Sequence, residues 1–281
     1  MKTKIIYEDR DVLVIQKPPG LATQTAKVGQ QDVVSELKNY LAVQASKGQI
    51  KKQIKEQSKG QSRGEPYLGI VHRLDQPVEG LLVFAKNKNA AAALTAQLCG
   101  EMGTDVAEWS GEGASSTDQK RCREKKGGMG TLNKYYYGVF CGNAPDDSGE
   151  LIDELYKDSS GKALVWERSK GEKPPQVKRA VLQYQVLQTE RVQDIVLSLV
   201  KIHISTGRYH QIRAQMSHAG MSLLGDVKYN DAAAAAISER LNVRSVALCA
   251  FDLEFIHPVT KEKMSFQMKP LGEVFSFFSI K

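Results

Sequence analysis

The chain has 281 residues, 41% hydrophobic and 25% charged, enough for one large core or two ordinary ones in a water-facing protein. No apolar run approaches the ~20 residues that cross a bilayer, and Met1-Lys2-Thr3-Lys4-Ile5-Ile6-Tyr7 lacks the apolar core of a secretion signal, so a cytoplasmic location is expected. A net charge of +7 favours a polyanionic partner, chiefly nucleic acid.

Two short strands open the chain, Lys4 to Tyr7 and Val12 to Ile15, separated by the polar turn Glu8-Asp9-Arg10-Asp11. Lys17-Pro18-Pro19-Gly20 ends the second. Asp32 is placed to cap a helix whose apolar face is Val33, Leu37 and Leu41, at i, i+4 and i+8. Residues 44–66 lose that periodicity and carry Lys47, Lys51, Lys52, Lys55, Lys59 and Arg63. They read as a basic surface loop, either solubilising or in contact with phosphates.

Leu68 to Leu74 is apolar-rich, and Leu81-Leu82-Val83-Phe84-Ala85 reads as a buried strand. Between them, His72-Arg73-Leu74-Asp75-Gln76-Pro77-Val78-Glu79-Gly80 forms a turn that carries one carboxylate beside an Arg and a His. An acid between rigid strands is well placed to act on a substrate. A turn Asp bonded to its own backbone is, however, the commoner arrangement. Asn89 is placed to cap a helix over Ala90 to Leu98. Residues 99–131, acidic then basic and rich in Gly and Ser, read as a second surface insertion. Cys99, Cys122, Cys141 and Cys249 form no Cys-x-x-Cys pair, which argues against zinc and a disulfide framework and for free thiols.

From Tyr135 onward period-two alternation dominates. It runs through Leu182, Tyr184 and Val186, then Ala247 to Phe255, then Met264, Phe266 and Met268, with the long strand Val196 to Ile204 among them. The expected class is α+β, a mixed, mostly antiparallel sheet with flanking helices and a central active-site cleft. In Lys134-Tyr135-Tyr136-Tyr137-Gly138, Tyr136 faces away from its two tyrosine neighbours, and a ring in a basic cleft can stack on a base. In Thr206-Gly207-Arg208-Tyr209-His210-Gln211-Ile212-Arg213, a helix from about Arg208 to His218 is expected, ending at Gly220. Arg208 at its N-terminus suits a phosphate. Asp226 lies at a turn where it can pair with a nearby cation.

Taken together, these segments resemble the RluA family of pseudouridine synthases. His72-Arg73-Leu74-Asp75 with Gly80-Leu81-Leu82 and Ala85-Lys86-Asn87 is similar to that family's catalytic motif. Lys134-x-Tyr136-x-Gly138 and Gly207-Arg208-x-His210-Gln211-Ile212-Arg213 resemble its second and third motifs, followed by Gly220, Gly225-Asp226 and Tyr229. Tyr7-Glu8-Asp9, Lys17-Pro18-Pro19-Gly20-Leu21 and Phe255-x-His257-Pro258 match at the two ends. Departures are Val78-Glu79 in place of Thr-Ser, Gln215 in place of a His and Asn230 in place of a Gly.

The resemblance implies one catalytic domain over 1–281 without the small leading RNA-binding domain, and isomerisation of uridine in structured RNA, ribosomal or transfer, without cofactor or metal. It implies Asp75 as nucleophile, Tyr136 stacked on a flipped-out uracil, and Arg213 as counter-ion to Asp75. Arg73, His72, Arg208 and His210 are the implied substrate-binding residues. A monomer is expected, and Arg213→Ala is expected to lose activity with its fold intact. A catalytically silent RNA-binding protein is the main competing class. A hydrolase using Asp75 with His210, and a metal site at His203, His210 and His218, fit the spacing poorly.

Overall fold

The computed structural model describes residues 1–27, 29–53, 66–99, 131–167, 169 and 171–280. They divide into two compact units, each assembled from three chain segments. The first holds Met1–Gln76, Leu82–Thr131 and Phe255–Met264; the second holds Pro77–Leu81, Leu132–Glu254 and Ser265–Lys281.

In the first unit, strands β1 (Lys4–Glu8) and β2 (Val12–Lys17) pair antiparallel across the Glu8–Asp11 turn. Asp9 fixes that turn, its Oδ1 accepting the Asp11 and Val12 amides at 2.7 and 2.8 Å. Helix α1 (Val33–Gln53) starts where Asp32 Oδ1 accepts the Ser35 amide at 2.7 Å, and Val33, Leu37 and Leu41 are buried as their spacing requires. The helix continues through residues 44 to 53, which corrects the expected loop over 44–66. Ala42, Gln44 and Ala45 carry the helix by propensity alone; apolar periodicity marks only a helix face that packs. Residues 54–65, and most of the segment 99–131, lie outside the described residues. Helix α2 (Lys88–Cys99) is capped by Asn87, whose Oδ1 accepts the Ala90 amide at 2.9 Å; the expected cap was Asn89. Cys99 is disulfide-bonded, against the expectation of free thiols, while Cys141 and Cys249 are free.

Strand β4 (Glu79–Ala85) is buried along its whole length. Its second half pairs antiparallel with β3 (Gly69–Ile70) in the first unit. Its Glu79 and Gly80 pair parallel with Cys249 and Ala250 of β10 (Leu248–Ile256) in the second. From β10 the sheet runs antiparallel through β5 (Asn133–Cys141), β9 (Ile195–Ile204), β8 (Lys178–Val192), β6 (Ser148–Lys157) and β7 (Ala163–Val165). β11 (Lys263–Gln267) adds to β10. Helices α3 (Gln211–His218) and α4 (Ala232–Arg240) complete the second unit. The fold is thus α+β, with a mixed and mostly antiparallel sheet. One core of the second unit gathers Val139, Leu197, Leu199, Cys249 and Phe251 against Val274 and Phe275 of a 3-10 turn (Glu273–Phe277). Each fully buried aliphatic side chain there is worth roughly 1.5–3 kcal/mol.

Gly80 has φ +137°, and a Cβ at this position would lie 2.5 Å from the Ala250 carbonyl oxygen and 2.6 Å from its nitrogen. Only glycine lets β4 approach β10 this closely. Gly80→Ala should lower stability by about 2 kcal/mol or more, read as an earlier denaturant midpoint; an unchanged midpoint would show that the strands have room to spare.

Candidate active site

Asp75 follows Leu74 in the first unit, and both neighbouring peptide groups are pinned. The Thr23 hydroxyl donates to the Leu74 carbonyl at 2.9 Å and accepts the Leu74 amide at 3.2 Å. On the other side, the Gln76 carbonyl accepts the Gly20 amide at 2.9 Å and the Lys17 ammonium at 3.0 Å. Lys17 is fully buried and also donates to the Pro18 and Leu21 carbonyls at 3.0 and 2.7 Å. The Gln76 side chain closes the bracket through the Gly20 carbonyl at 3.0 Å. A carboxylate whose flanking peptides are fixed has little freedom beyond its own side-chain rotation. Asp75 itself is half-buried and Arg73 exposed.

His72 is buried, and its Nε2 accepts the Val83 amide at 3.3 Å. That bond ties the segment entering the turn to β4, which leaves it. Further along, Lys86 bonds the Glu8 carboxylate at 2.7 Å and the Asp9 carbonyl, and Asn87 donates to Asp11 Oδ1 at 2.7 Å. His257 Nδ1 accepts the Thr260 amide at 3.0 Å, so its proton sits on Nε2 and is donated to Asp9 Oδ2 at 2.9 Å. Tyr7 donates to the same oxygen at 2.9 Å. Asp9, Asp11 and His257 place their ligand-type atoms within 4.8 Å of one another. These bonds to protein donors account for the grouping. The motif fragments at residues 7–11, 85–87 and 255–258 therefore form one knot that holds β1, β2 and β4 in register.

In the second unit, Tyr136 lies on β5 opposite Ile202 of β9 and Ala250 of β10 and is buried, while Tyr135 and Tyr137 turn to the other face. There they stack on His203 and Phe251, with ring centroids 4.8 and 3.6 Å apart. Lys134 shares the Tyr136 face and is 7% exposed. Burial pulls its ammonium down to about 8 from the ordinary 10.5.

Helix α3 begins at Gln211, three residues later than expected, because the Gln211 side chain organises a turn before it. Its Oε1 accepts from the Thr206 hydroxyl at 2.8 Å and from the Arg208 amide at 3.0 Å, and its Nε2 donates to the Val181 carbonyl at 3.0 Å. Arg208 is therefore outside the helix, its Nε donating to the Arg179 carbonyl at 2.8 Å. His210 occupies the cap position at φ 51°.

Burial pushes the Tyr229 phenol up to about 12, so it stays protonated. Its oxygen accepts the Ala163 amide at 2.9 Å and its hydrogen goes to His210 Nδ1 at 2.9 Å, leaving the His210 proton on Nε2. Arg213 is buried and forms a two-pronged pair with Asp226, Nε to Oδ2 and Nη2 to Oδ1, both 2.7 Å. Its guanidinium lies 5.0 Å from the Tyr229 ring centre. Asp226 also accepts the Lys228 amide at 2.9 Å. Arg213→Ala would strand a buried carboxylate at a cost of about 3–5 kcal/mol, so a loss of activity in that variant would not by itself separate catalysis from stability.

Glu79, the unexpected carboxylate of the motif, is 3% exposed. Its two oxygens accept the Leu271 and Gly272 amides at 2.9 and 3.0 Å, which fixes the chain entering the 3-10 turn at Glu273–Phe277. Lys17, Thr23 and Lys134 were not singled out from the sequence. Lys17 precedes the Pro18-Pro19-Gly20 turn and Lys134 precedes Tyr136, but neither spacing reveals that the side chain points inward.

The Lys134 charge bears on stability with a definite sign. Unfolded, the amine keeps its proton to about 10.5; folded, it releases it near 8. Between those values the folded state binds fewer protons, so stability rises with pH. Below pH 8 the buried charge costs on the order of 3 kcal/mol. Lys134→Met should be more stable than wild type at pH 7, with the advantage shrinking above pH 8 and absent beyond 10.5. Urea unfolding across that range measures it.

Residues 11–105 and 117–218 match the family model described as RNA pseudouridylate synthase, and the break between them falls inside the segment expected as an insertion. A ribosomal large subunit pseudouridine synthase D of Pseudomonas aeruginosa is 30% identical over 282 residues, covering 98% of this chain and 70% of that protein. A dual-specificity RNA pseudouridine synthase RluA of Vibrio vulnificus is 27% identical, covering 91% and 78%. Human RNA Pseudouridylate Synthase Domain Containing 4 superposes with a TM-score of 0.59 at 21% identity, covering 98% of this chain and 90% of that one, which shows a shared fold. The ordered motifs, the fold they knot together and the family match converge: this chain belongs to the RluA family of RNA pseudouridine synthases and isomerises uridine to pseudouridine in RNA.

Proposed function

We propose that Asp75 is the nucleophile of this isomerisation, and that Tyr136 and Arg213 complete the catalytic set. The observation that carries the reading is the bracket of Thr23 and Lys17 around Asp75. The Asp75 carboxylate bonds covalently to the target nucleotide while the N1–C1′ bond breaks. The uracil turns, C5 joins C1′, the bond to Asp75 breaks and frees the carboxylate, the C5 proton leaves and N1 gains one, so atoms balance and no redox partner is needed. Tyr136 stacks on the extruded uracil. Arg213, oriented by the Asp226 fork, supplies the permanent cation of the catalytic set. Arg73 and Arg208 contact the RNA backbone around the extruded base, and His210 contributes a ring nitrogen to its binding.

Ribosomal RNA is the substrate class that we infer. Its support is the charge of +7 and the likeness to proteins named for the ribosomal large subunit. We place the protein in the cytoplasm, acting as a monomer. No helix among the described residues is long and apolar enough to cross a membrane.

Asp75→Asn should abolish tritium release from [5-³H]uridine-labelled RNA while RNA binding survives; substantial turnover in that variant would sink Asp75 as nucleophile. Arg213→Lys keeps the charge but loses the fork, and should cut kcat at least tenfold with a folded protein. Thr23→Val removes both Leu74 contacts at near-constant volume. It should cost about 1–3 kcal/mol of stability and lower kcat more than it raises KM, because the bracket acts on the geometry of Asp75. A wild-type kcat in Thr23→Val would show that the bracket serves folding alone.

A further inference from the structure

Lys134 is a buried cation to which the chemistry above gives no role. Its side chain is 7% exposed, and no salt bridge or hydrogen bond of its ammonium is found among the described residues. Its partner on β10 is the apolar Leu253; the carboxylates on either side of it, Asp252 and Glu254, pair with Tyr135 and Asn133 and so belong to the opposite face, and on β9 the Lys134 charge meets another base, His203. An ammonium in this state destabilises the fold relative to an apolar side chain of equal size. Such a group is accounted for by a ligand that arrives with the opposite charge.

Two placements say where that ligand lies. Lys134 and Tyr136 are two residues apart on β5 and point to the same face, about 7 Å from one another, a span that one nucleotide bridges from base to phosphate. The ammonium also sits 3.9 Å from where a Cβ on Gly207 would be, and that position has nothing else within 4 Å. Gly207 is exposed and opens the turn that carries Arg208. The amine is thus roofed by a residue with no side chain, which lets a nucleic-acid backbone come close.

We propose that Lys134 is the phosphate anchor of the target nucleotide, gripping the backbone of the same uridine whose base stacks on Tyr136. This rests on the stacking role of Tyr136 given above. A phosphate is favoured over a uracil carbonyl because only a full negative charge offsets a full positive one. Holding base and phosphate from adjacent positions of one strand fixes the sugar between them, which is where the bond is exchanged. The ammonium is a positioning group and takes no proton in the reaction.

The test uses total RNA labelled with [5-³H]uridine, taken from cells lacking this protein. Wild type should release tritium from it, which establishes the activity independently of Lys134. In Lys134→Met the KM should rise about tenfold to a hundredfold while kcat changes little. The slope of log binding constant against log salt should flatten by about 0.7–0.9, the loss of one phosphate contact. Lys134→Arg should recover most of the affinity and the slope. A folded Lys134→Met with wild-type KM and slope overturns the proposal. So does a loss of kcat at unchanged KM, which would move Lys134 into the chemical step, and so does a failure of Lys134→Met to fold, which would make the ammonium scaffold. Tyr136→Leu separates the two ideas: normal kinetics there removes the stacking role, whereas normal kinetics in Lys134→Met removes only the phosphate contact.

Discussion

A short acidic side chain does chemistry only if the backbone beneath it holds still, and here three polar groups from the end of β2 and the β2–α1 connection provide that. The Thr23 hydroxyl occupies both polar groups of Leu74, and the Lys17 ammonium and Gly20 amide occupy the carbonyl of Gln76. Asp75 is the residue between. The Thr23 bonds are buried and the Lys17 bond partly buried, so losing one of them strands a polar group rather than exchanging it for water. The neighbouring contacts extend the same support. His72 ties the two strands of the motif together, Asn87 caps α2 just past them, and Lys86 anchors β4 to the β1–β2 turn.

The second unit applies the same economy with charge. Arg213, Asp226, Tyr229 and His210 form one connected network in which each polar group has a defined partner. Asp226 sets the plane of the guanidinium, and Tyr229 lies beside it and sets the tautomer of His210. A planar fork held at two points 2.7 Å long can present its remaining donors in one direction only. Lys134 is the contrast within the same unit, a charge with no partner among the described residues. Folding strength alone would favour methionine there, which is why its presence points outside the protein, to the anion of the substrate.

Much of the architecture was legible in the sequence for identifiable reasons. Period-two alternation marked β8 and β11, whose two faces differ in exposure, and also β10, although both of its faces are covered. Asp32 marked the start of α1 and Gly220 the end of α3, because caps depend on local chemistry. Where the reading failed, the cause was a long-range or purely local preference that periodicity does not see. The helix runs on through residues 44–53, where the sequence has no apolar periodicity to announce it. The start of α3 moved because a single glutamine side chain, bonded to Thr206 and to β8, competes with the first helical turn.

The sequence by itself determined the reaction. Asp75, Tyr136 and Arg213 stand in motifs whose order and composition identify the family without coordinates. Only the tertiary structure decided what each neighbour is for. Glu79 reads in sequence as a stray carboxylate beside the nucleophile, yet it binds the amides of Leu271 and Gly272, nearly two hundred residues away along the chain. Asp226 reads as a turn residue, yet it is the orienting partner of Arg213. Lys17 and Lys134 are indistinguishable in composition, yet one is saturated by carbonyls while the other waits on a substrate. Direction and partner are properties of how distant segments meet, and spacing along one chain carries no record of them.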